Sequence, residues 1–238
     1  MHLKCFLTAI DFDYTIINDN SDTVVRQLLT DVPQSVEDLR GIHGWTFYMN
    51  EILRLLHLNK VPASEIIEAV VCIPPTPNMI DMFHSLKKMD CEVIIISDAN
   101  TIFIEEWLKA HGVRDCIHKI YSNPAKLQGR RLTVKGYHEQ NWCHISAKNM
   151  CKGYILSEYI MEREKEGTVF RYLSYCGDGR NDLCPILRLR TEDFVFPRKN
   201  YTLDKLLKKS DKVKCKIIPW NDTKIIVQTL QNLCVKRK

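Results

Sequence analysis

No uncharged stretch in this sequence reaches the ~20 residues that a membrane helix needs, and residues 69–80 are broken by Pro74, Pro75 and Pro77. A membrane-spanning protein is therefore not expected. Ahead of Asp11 the only apolar run is Phe6 to Ile10, short of the ~7–15 residues of a signal-peptide core. The ten cysteines include no CxxC pair and no dense framework of the kind that staples small secreted domains. Scattered, mostly buried thiols in a reducing, cytoplasmic setting are the expectation. Internal repeats and low-complexity tracts are also lacking, which excludes solenoids and linker-like chains. The net charge is only +5, and the one basic stripe, residues 198–216 with eight basic and two acidic side chains, has no interleaved aromatic pairs. A solvated helix face is expected there rather than a nucleic-acid surface.

What is present is ordinary globular material: 238 residues, 45% hydrophobic and 26% charged, enough for one generous domain or a core with an insertion. Apolar, β-branched runs at 5–10, 91–97, 172–176, 194–196 and 216–220 alternate with helical patterns. That order predicts a doubly wound α/β domain with a mainly parallel sheet. Met79, Met82, Phe83 and Leu86 fall at helical spacing, as do Ile102, Trp107 and Leu108. Residues 18–77 offer helices (23–29, 46–58 and 64–71) and no convincing strand, and they end in the proline cluster. The reading is a core of residues 1–17 and 78–238 with a helical cap at 18–77, the prolines forming a rigid re-entry.

Three loops carry the chemistry. Asp11-Phe12-Asp13-Tyr14-Thr15 follows the first apolar run, so its carboxylates lie at the C-terminal end of a strand, where open parallel sheets bind ligands. Alone, this could be an exposed acidic turn. Ser97-Asp98-Ala99-Asn100 follows the second run and could seat a phosphate oxygen or simply cap a helix. Gly177-Asp178-Gly179-Arg180-Asn181-Asp182 follows the third; taken by itself it is a tight glycine turn. Adjacent strands lie only ~4.8 Å apart, so the three loops can converge. Asp11, Asp13 and Asp178 then offer hard oxygen ligands suited to Mg²⁺.

These loops, with Lys152-Gly153 between the second and third, resemble the four motifs of the haloacid dehalogenase superfamily of phosphotransferases across the whole chain. Further stretches quoted from the sequence are Ile16-Ile17, Asn20-Ser21-Asp22, Ser122-Asn123-Pro124, Lys148-Asn149-Met150-Cys151-Lys152 and Pro197-Arg198-Lys199. They resemble the animal family of pyridoxal phosphate and phosphoethanolamine/phosphocholine phosphatases. Thr23, Leu132-Thr133-Val134 and Tyr201-Thr202-Leu203 tilt the reading toward the pyridoxal phosphate member.

The resemblance implies roles. Asp11 is the expected nucleophile and Asp13 the acid/base. The Asp11 side chain, the Asp13 backbone carbonyl and Asp178 are the expected Mg²⁺ ligands. Thr15, Ser97 and Lys152 would bind phosphate, Asp22 and Asp98 the rest of the substrate, and Asp182 would orient Lys152 or a metal-bound water. Cations are required because two unit charges ~4 Å apart at an effective dielectric of ~20 interact by ~4 kcal/mol, so Asp11 facing a phosphate dianion would meet ~8 kcal/mol of repulsion. Lys148, one turn earlier, rivals Lys152 for the cation. Asp22 could instead cap a helix, and Trp45 and Tyr48 could stack on a pyridine ring or merely pack.

His138, Cys143, His144 and Cys151 have zinc-ligand chemistry but not a standard zinc spacing. Members of the resembled family carry a cysteine at the position of Ser146 and one residue fewer between His138 and Cys143, so the role of this segment is in question. Asn200 stands where a glycine is expected, a tolerable change because asparagine enters the left-handed region readily.

The sequence thus predicts a Mg²⁺-dependent phosphatase acting on a small phosphorylated metabolite, pyridoxal 5′-phosphate first and phosphoethanolamine or phosphocholine second. A non-enzymatic phosphate-binding regulator on the same fold is the alternative of another class. Asp11 and Asp13 weigh against it, because a pure binder needs neither nucleophile nor acid.

Overall fold

A computed structural model describes residues 2–235. Eight strands run in chain order: β1 His2–Ile10, β2 Glu92–Asn100, β3 Lys119–Asn123, β4 Ala125–Gln128, β5 Arg131–Val134, β6 Thr168–Gly177, β7 Phe194–Pro197 and β8 Lys216–Ile217. Between β1 and β2 lie five helices of the segment that ends at the proline cluster, α1 Ser21–Arg26, α2 Gln34–Glu37, α3 Leu39–Ile42, α4 Trp45–Leu58 and α5 Ala63–Val71, and then a sixth, α6 Met79–Lys88. They are followed by α7 Thr101–Ala110, α8 Lys152–Lys165, α9 Leu183–Ile186, α10 Thr202–Leu207 and α11 Lys224–Val235.

Six strands form one sheet in the order β3-β2-β1-β6-β7-β8, every neighbouring pair parallel. This is the doubly wound α/β class expected from the alternation of runs and helices. The order reverses between β1 and β6, and the crevice at the strand ends beside such a switch point is where ligands bind in open α/β sheets. Period-2 alternation explains why the runs are continuously apolar. Phe6, Ile10, Val93, Ile95, Cys176 and Phe196 enter one buried cluster, while Leu7, Ala9, Ile94, Ile96, Tyr175 and Val195 enter the cluster on the opposite face. Both faces are buried, as parallel sheets require.

The helical segment packs on the first of these faces: Val25, Tyr48, Ile52, Leu56, Ile66 and Val70 share one cluster with Phe6, Ile10 and Trp107. Its two ends meet, for Asn18 N donates to Pro74 O at 2.8 Å and Thr76 N to Ile16 O at 2.9 Å. Pro74, Pro75 and Pro77 lie at this junction.

The antiparallel hairpin β4–β5 was not expected. It contains the Leu132-Thr133-Val134 strip and rests on α4, where Val134 N donates to Asn50 Oδ1 at 2.9 Å and Val134 O accepts from Asn50 Nδ2. The lysines of the basic stripe from Lys199 to Lys216 are exposed, but Arg198 is buried.

Candidate active site

The loop after β1 turns sharply because Tyr14 adopts φ 53°, a left-handed conformation that costs a non-glycine residue roughly 1–2 kcal/mol. Tyr14 N donates to Asp19 O at 3.0 Å, and Arg198 Nη1 donates to Tyr14 O at 2.6 Å. Arg198 also bonds Asn18 and lies over the Tyr201 ring, 4.5 Å from its centroid. It therefore clamps the loop that carries Asp11 and Asp13. Sequence reasoning counted Arg198 with a solvated stripe and missed this role; the signal was its place directly after an apolar strand end. Beyond it, Asn200 has φ 70° and takes the left-handed conformation that the residue type permits.

Asp11, Asp13, Ser97, Asp98 and Asp178 all line one cavity of about 190 Å³, together with Tyr14, Asn20, Asp22, Trp45, Gly179 and Asn181. A narrow crevice of about 10 Å³ continues beneath Trp45, past Met49, Leu53 and Phe103. Lys152 is fully buried, with Nζ 2.9 Å from Asp11 Oδ2 and 2.8 Å from Asp182 Oδ1. Lys148 is exposed, so Lys152 is the lysine at the site. Burial opposes its charge, but Asp11, Asp182 and Asp98 outweigh that and hold it protonated.

Asp182 has every oxygen engaged: Oδ1 accepts from Lys152 and, at 2.7 Å, from Tyr175 Oη, while Oδ2 accepts from the backbone N–H groups of Asp178 and Gly179 at 3.1 and 2.9 Å. It fixes both the lysine and the loop that presents Asp178. Gly177 is required for this, since a Cβ there would stand 2.4 Å from Asp182 Oδ2. Gly153 answers a second close approach, for its Cβ would lie 2.5 Å from Cys184 Sγ and 3.0 Å from Cys184 O. Gly153→Ala should therefore cost roughly 1–3 kcal/mol as α8 is pushed off α9. A denaturation midpoint equal to that of the unsubstituted protein would contradict this packing.

The acids differ in state. Burial pushes Asp11 up to about 6 against the opposing pull of Lys152. Burial, then the charge of Asp22, pushes Asp13 to about 8, although its Oδ1 accepts from Ser21 N at 2.8 Å. Burial, then Asp11 and Asp182, pushes Asp178 to about 8. Asp11, Asp178 and Asp182 each bring an oxygen within 4.8 Å of the others. Such a set is short of positive charge and consists of hard oxygen donors, which suits Mg²⁺. Asp13 sends its side chain to Ser21 instead, so only its backbone carbonyl is left for the metal role that the resemblance implies.

Other expectations change. Thr15 is fully buried and does not line the cavity; its Oγ1 has no protein partner. A direct phosphate contact from Thr15 is not supported by this placement. Ser97 lines the cavity at the end of β2, and the cap of α7 is Asn100, whose Oδ1 accepts from Phe103 N at 3.1 Å. Asn20, not Asp22, caps α1. Asp22 is instead buried in the cavity wall, its Oδ2 accepting from Trp45 Nε1 at 2.5 Å, and burial raises its carboxyl to about 6. Asp98 is held by Asn149 at 2.9 Å and Asn181 at 2.8 Å, two partners that sequence reasoning did not assign. Tyr48 is buried with its Oη on Glu37 and does not line the cavity, whereas Trp45 does.

The four residues with zinc-ligand chemistry, His138, Cys143, His144 and Cys151, do not gather as one set. His138 Nε2 accepts from Cys151 N at 2.8 Å and is occupied, and His144 is exposed. Among the described residues, the side chains that gather with Cys143 and Cys151 include Cys184 and neither histidine.

The sequence model of a family described as Putative Phosphatase matches residues 6–234. Human pyridoxal phosphate phosphatase PHOSPHO2 is 34% identical over 238 residues, covering 95% of this chain and 98% of that protein. The phosphoethanolamine/phosphocholine phosphatase of Gallus gallus is 32% identical, covering 98% of this chain and 90% of that one. Among solved structures, an apo phosphoserine phosphatase superposes with a TM-score of 0.63 at 20% identity, covering 94% of this chain and 98% of that chain. These matches support the enzymatic reading over the non-enzymatic one. The chain belongs to the putative phosphatase family and is a phosphomonoester hydrolase with the fold of phosphoserine phosphatase.

Proposed function

We propose that this phosphatase hydrolyses a small phosphomonoester, pyridoxal 5′-phosphate first, through a phosphoryl group carried on Asp11. The observation that carries the reading is the meeting of Asp11, Asp13, Ser97 and Asp178 around one cavity, with the buried Lys152 ammonium on Asp11. In this reading Asp11 attacks phosphorus and the ester oxygen leaves, which divides hydrolysis into two easier displacements. Asp13, protonated at neutral pH, gives its proton to the leaving oxygen and then takes one from the water that attacks the acyl phosphate. Lys152 balances the charge of Asp11 as the phosphate approaches. In this reading Ser97, on the cavity wall, holds a phosphate oxygen through Oγ. Mg²⁺, when bound by Asp11, Asp178 and the Asp13 carbonyl, supplies the remaining positive charge.

Residues 18–77 act as the cap, with Asp22 and Trp45 as its contribution to the cavity wall. At about 190 Å³ the cavity is below the ~300–1,000 Å³ of drug-sized ligand pockets, which favours a small metabolite. Trp45, its indole held by Asp22, favours a flat ring. The pair Asp22 and Asp98 favours a second substrate class, a small ammonium such as that of phosphoethanolamine or phosphocholine.

A hydrolysis panel of pyridoxal 5′-phosphate, phosphoethanolamine and phosphocholine, with EDTA and with Mg²⁺, tests the proposal. Activity should require Mg²⁺; full activity after thorough chelation would overturn the metal assignment. Asp22→Asn should lower kcat/KM for an amine substrate by about ten- to several-hundredfold, as expected for ~1.5–3 kcal/mol of lost charge-assisted bonding. Trp45→Ala should weigh more heavily on pyridoxal 5′-phosphate. Equal losses for both substrates in Asp22→Asn, with none in Trp45→Ala, would show the wall residues to be misassigned.

Cation binding should also appear in stability. Asp13 and Asp178 move from 3.8 to about 8 on folding, so the folded chain holds their protons more tightly than the unfolded chain. Their contribution is complete below pH 4 and is lost as pH rises toward 8. The Tm of metal-free protein should fall across that window, and Mg²⁺ should raise Tm more at its upper end than at its lower end. A Mg²⁺ effect that does not vary with pH would contradict a cation among these acids.

A further inference from the structure

The thiols of Cys143, Cys151 and Cys184 lie outside the phosphatase cavity and have no part in its chemistry. Cys143 Sγ is 3.5 Å from Cys184 Sγ, and Cys151 Sγ is 3.7 Å from it, all three sulfurs lying within 4.8 Å of one another. Zinc–sulfur bonds of ~2.3 Å in a tetrahedron place sulfurs about 3.8 Å apart. The observed spacing is close to that edge and far from the ~2.05 Å of a disulfide. Ser146 adds a fourth polar group, its Oγ 3.3 Å from Cys143 Sγ and also facing Cys184.

The loop around these sulfurs contains little regular structure, yet it is held from within. Gln140, buried, donates through Nε2 to the carbonyls of Cys143, Ser146 and Ala147 and accepts from Cys143 N at 2.8 Å. His138 fixes the backbone of Cys151. Trp142 and Ile145 are exposed, so this loop does not owe its order to a hydrophobic centre of its own. Cys143 is half-buried and leaves a route for an ion, while Cys151 and Cys184 are buried.

We propose that Cys143, Cys151 and Cys184 bind one Zn²⁺ as thiolates, with Ser146 or a water at the fourth position. Three soft sulfur ligands select a thiophilic ion over Mg²⁺. The site is separate from the oxygen-lined cavity and does not depend on the phosphatase reading. Its position has a consequence, however. Cys151 directly precedes Lys152, and Cys184 follows Asp182 by two residues, so the ion would tie together the two chain segments whose side chains form the Lys152–Asp182 pair.

The test uses the full-length protein purified under reducing conditions, stripped of metal, and titrated with Co²⁺ while excess Mg²⁺ occupies the oxygen site. One equivalent should bind with a sulfur-to-cobalt charge-transfer band and the strong visible absorption of tetrahedral Co²⁺, and one equivalent of Zn²⁺ should displace it. Cys184→Ser should abolish the band. Ser146→Cys, by adding a fourth thiolate, should tighten Zn²⁺ binding at least tenfold. Because the titration of the unsubstituted protein stands alone, a variant that fails to fold leaves the proposal falsifiable. No charge-transfer band, a band that survives Cys184→Ser, or a Cys143–Cys184 disulfide in the reduced preparation would each overturn it.

Discussion

Asp11→Asn is expected to lower kcat by about 10⁴-fold or more, in the range seen when other enzymes lose a nucleophile, while the protein remains folded. The amide has nearly the shape of the carboxylate but cannot carry a phosphoryl group. The stability expectation is more discriminating. Asp11 is buried beside Asp182 and Asp178, and burial raises its carboxyl to about 6 despite Lys152, so the ionised form is held at a cost in the metal-free protein. Lys152 retains Asp182 at 2.8 Å after the substitution. The Tm of metal-free Asp11→Asn should therefore equal or exceed that of the parent at neutral pH. Kinetic assay and calorimetry check the pair; retained turnover, or inactivity explained by unfolding, would refute it.

Lys152→Met should behave differently, losing activity and stability together. The ammonium is fully buried and contacts two carboxylates at 2.9 and 2.8 Å. Removing one partner of a buried ion pair typically costs ~3–5 kcal/mol, because the remaining charge is left uncompensated. Here two acids would lose their shared cation. Turnover should fall by about 10³-fold or more, since roughly 4 kcal/mol of unopposed repulsion between unit charges at 4 Å corresponds to that factor. Chemical denaturation and steady-state kinetics give the two numbers. A denaturation midpoint unchanged from the parent would show that Lys152 is not the counter-charge of this site. Combining Lys152→Met with Asp11→Asn should recover part of the stability and none of the activity.

How much of this was visible beforehand depended on how far each signal reached along the chain. β1, β2, β6 and β7 sit at runs whose apolar, β-branched character reflects burial on both faces, whereas β8, also at an expected run, is an exposed edge strand; the loops that follow three of the buried strands hold the acids of the cavity. β3 lies at the sheet edge and reads Lys-Ile-Tyr-Ser-Asn, too mixed to stand out. The β4–β5 hairpin gains its partner from α4 rather than from the sheet, through Asn50, a contact 84 residues away in sequence. Cys184 is hidden for a similar reason: a ligand spacing within one segment does not include it, because its partner Cys151 is 33 residues earlier. Thr15 illustrates the opposite limit. Its motif position was plain in the sequence, yet its full burial, outside the cavity lining, is set by packing that the motif does not encode.

The covalent role of Asp11 can be tested directly. Protein turning over pyridoxal 5′-phosphate in the presence of Mg²⁺ is quenched in acid, reduced with borohydride and mapped by mass spectrometry. An acyl phosphate is reduced to the alcohol under these conditions, so phosphorylated aspartate appears as homoserine. The proposed mechanism predicts homoserine at position 11 in the parent protein and none in Asp11→Asn. Homoserine at another aspartate, or none at all while hydrolysis is under way, would contradict it.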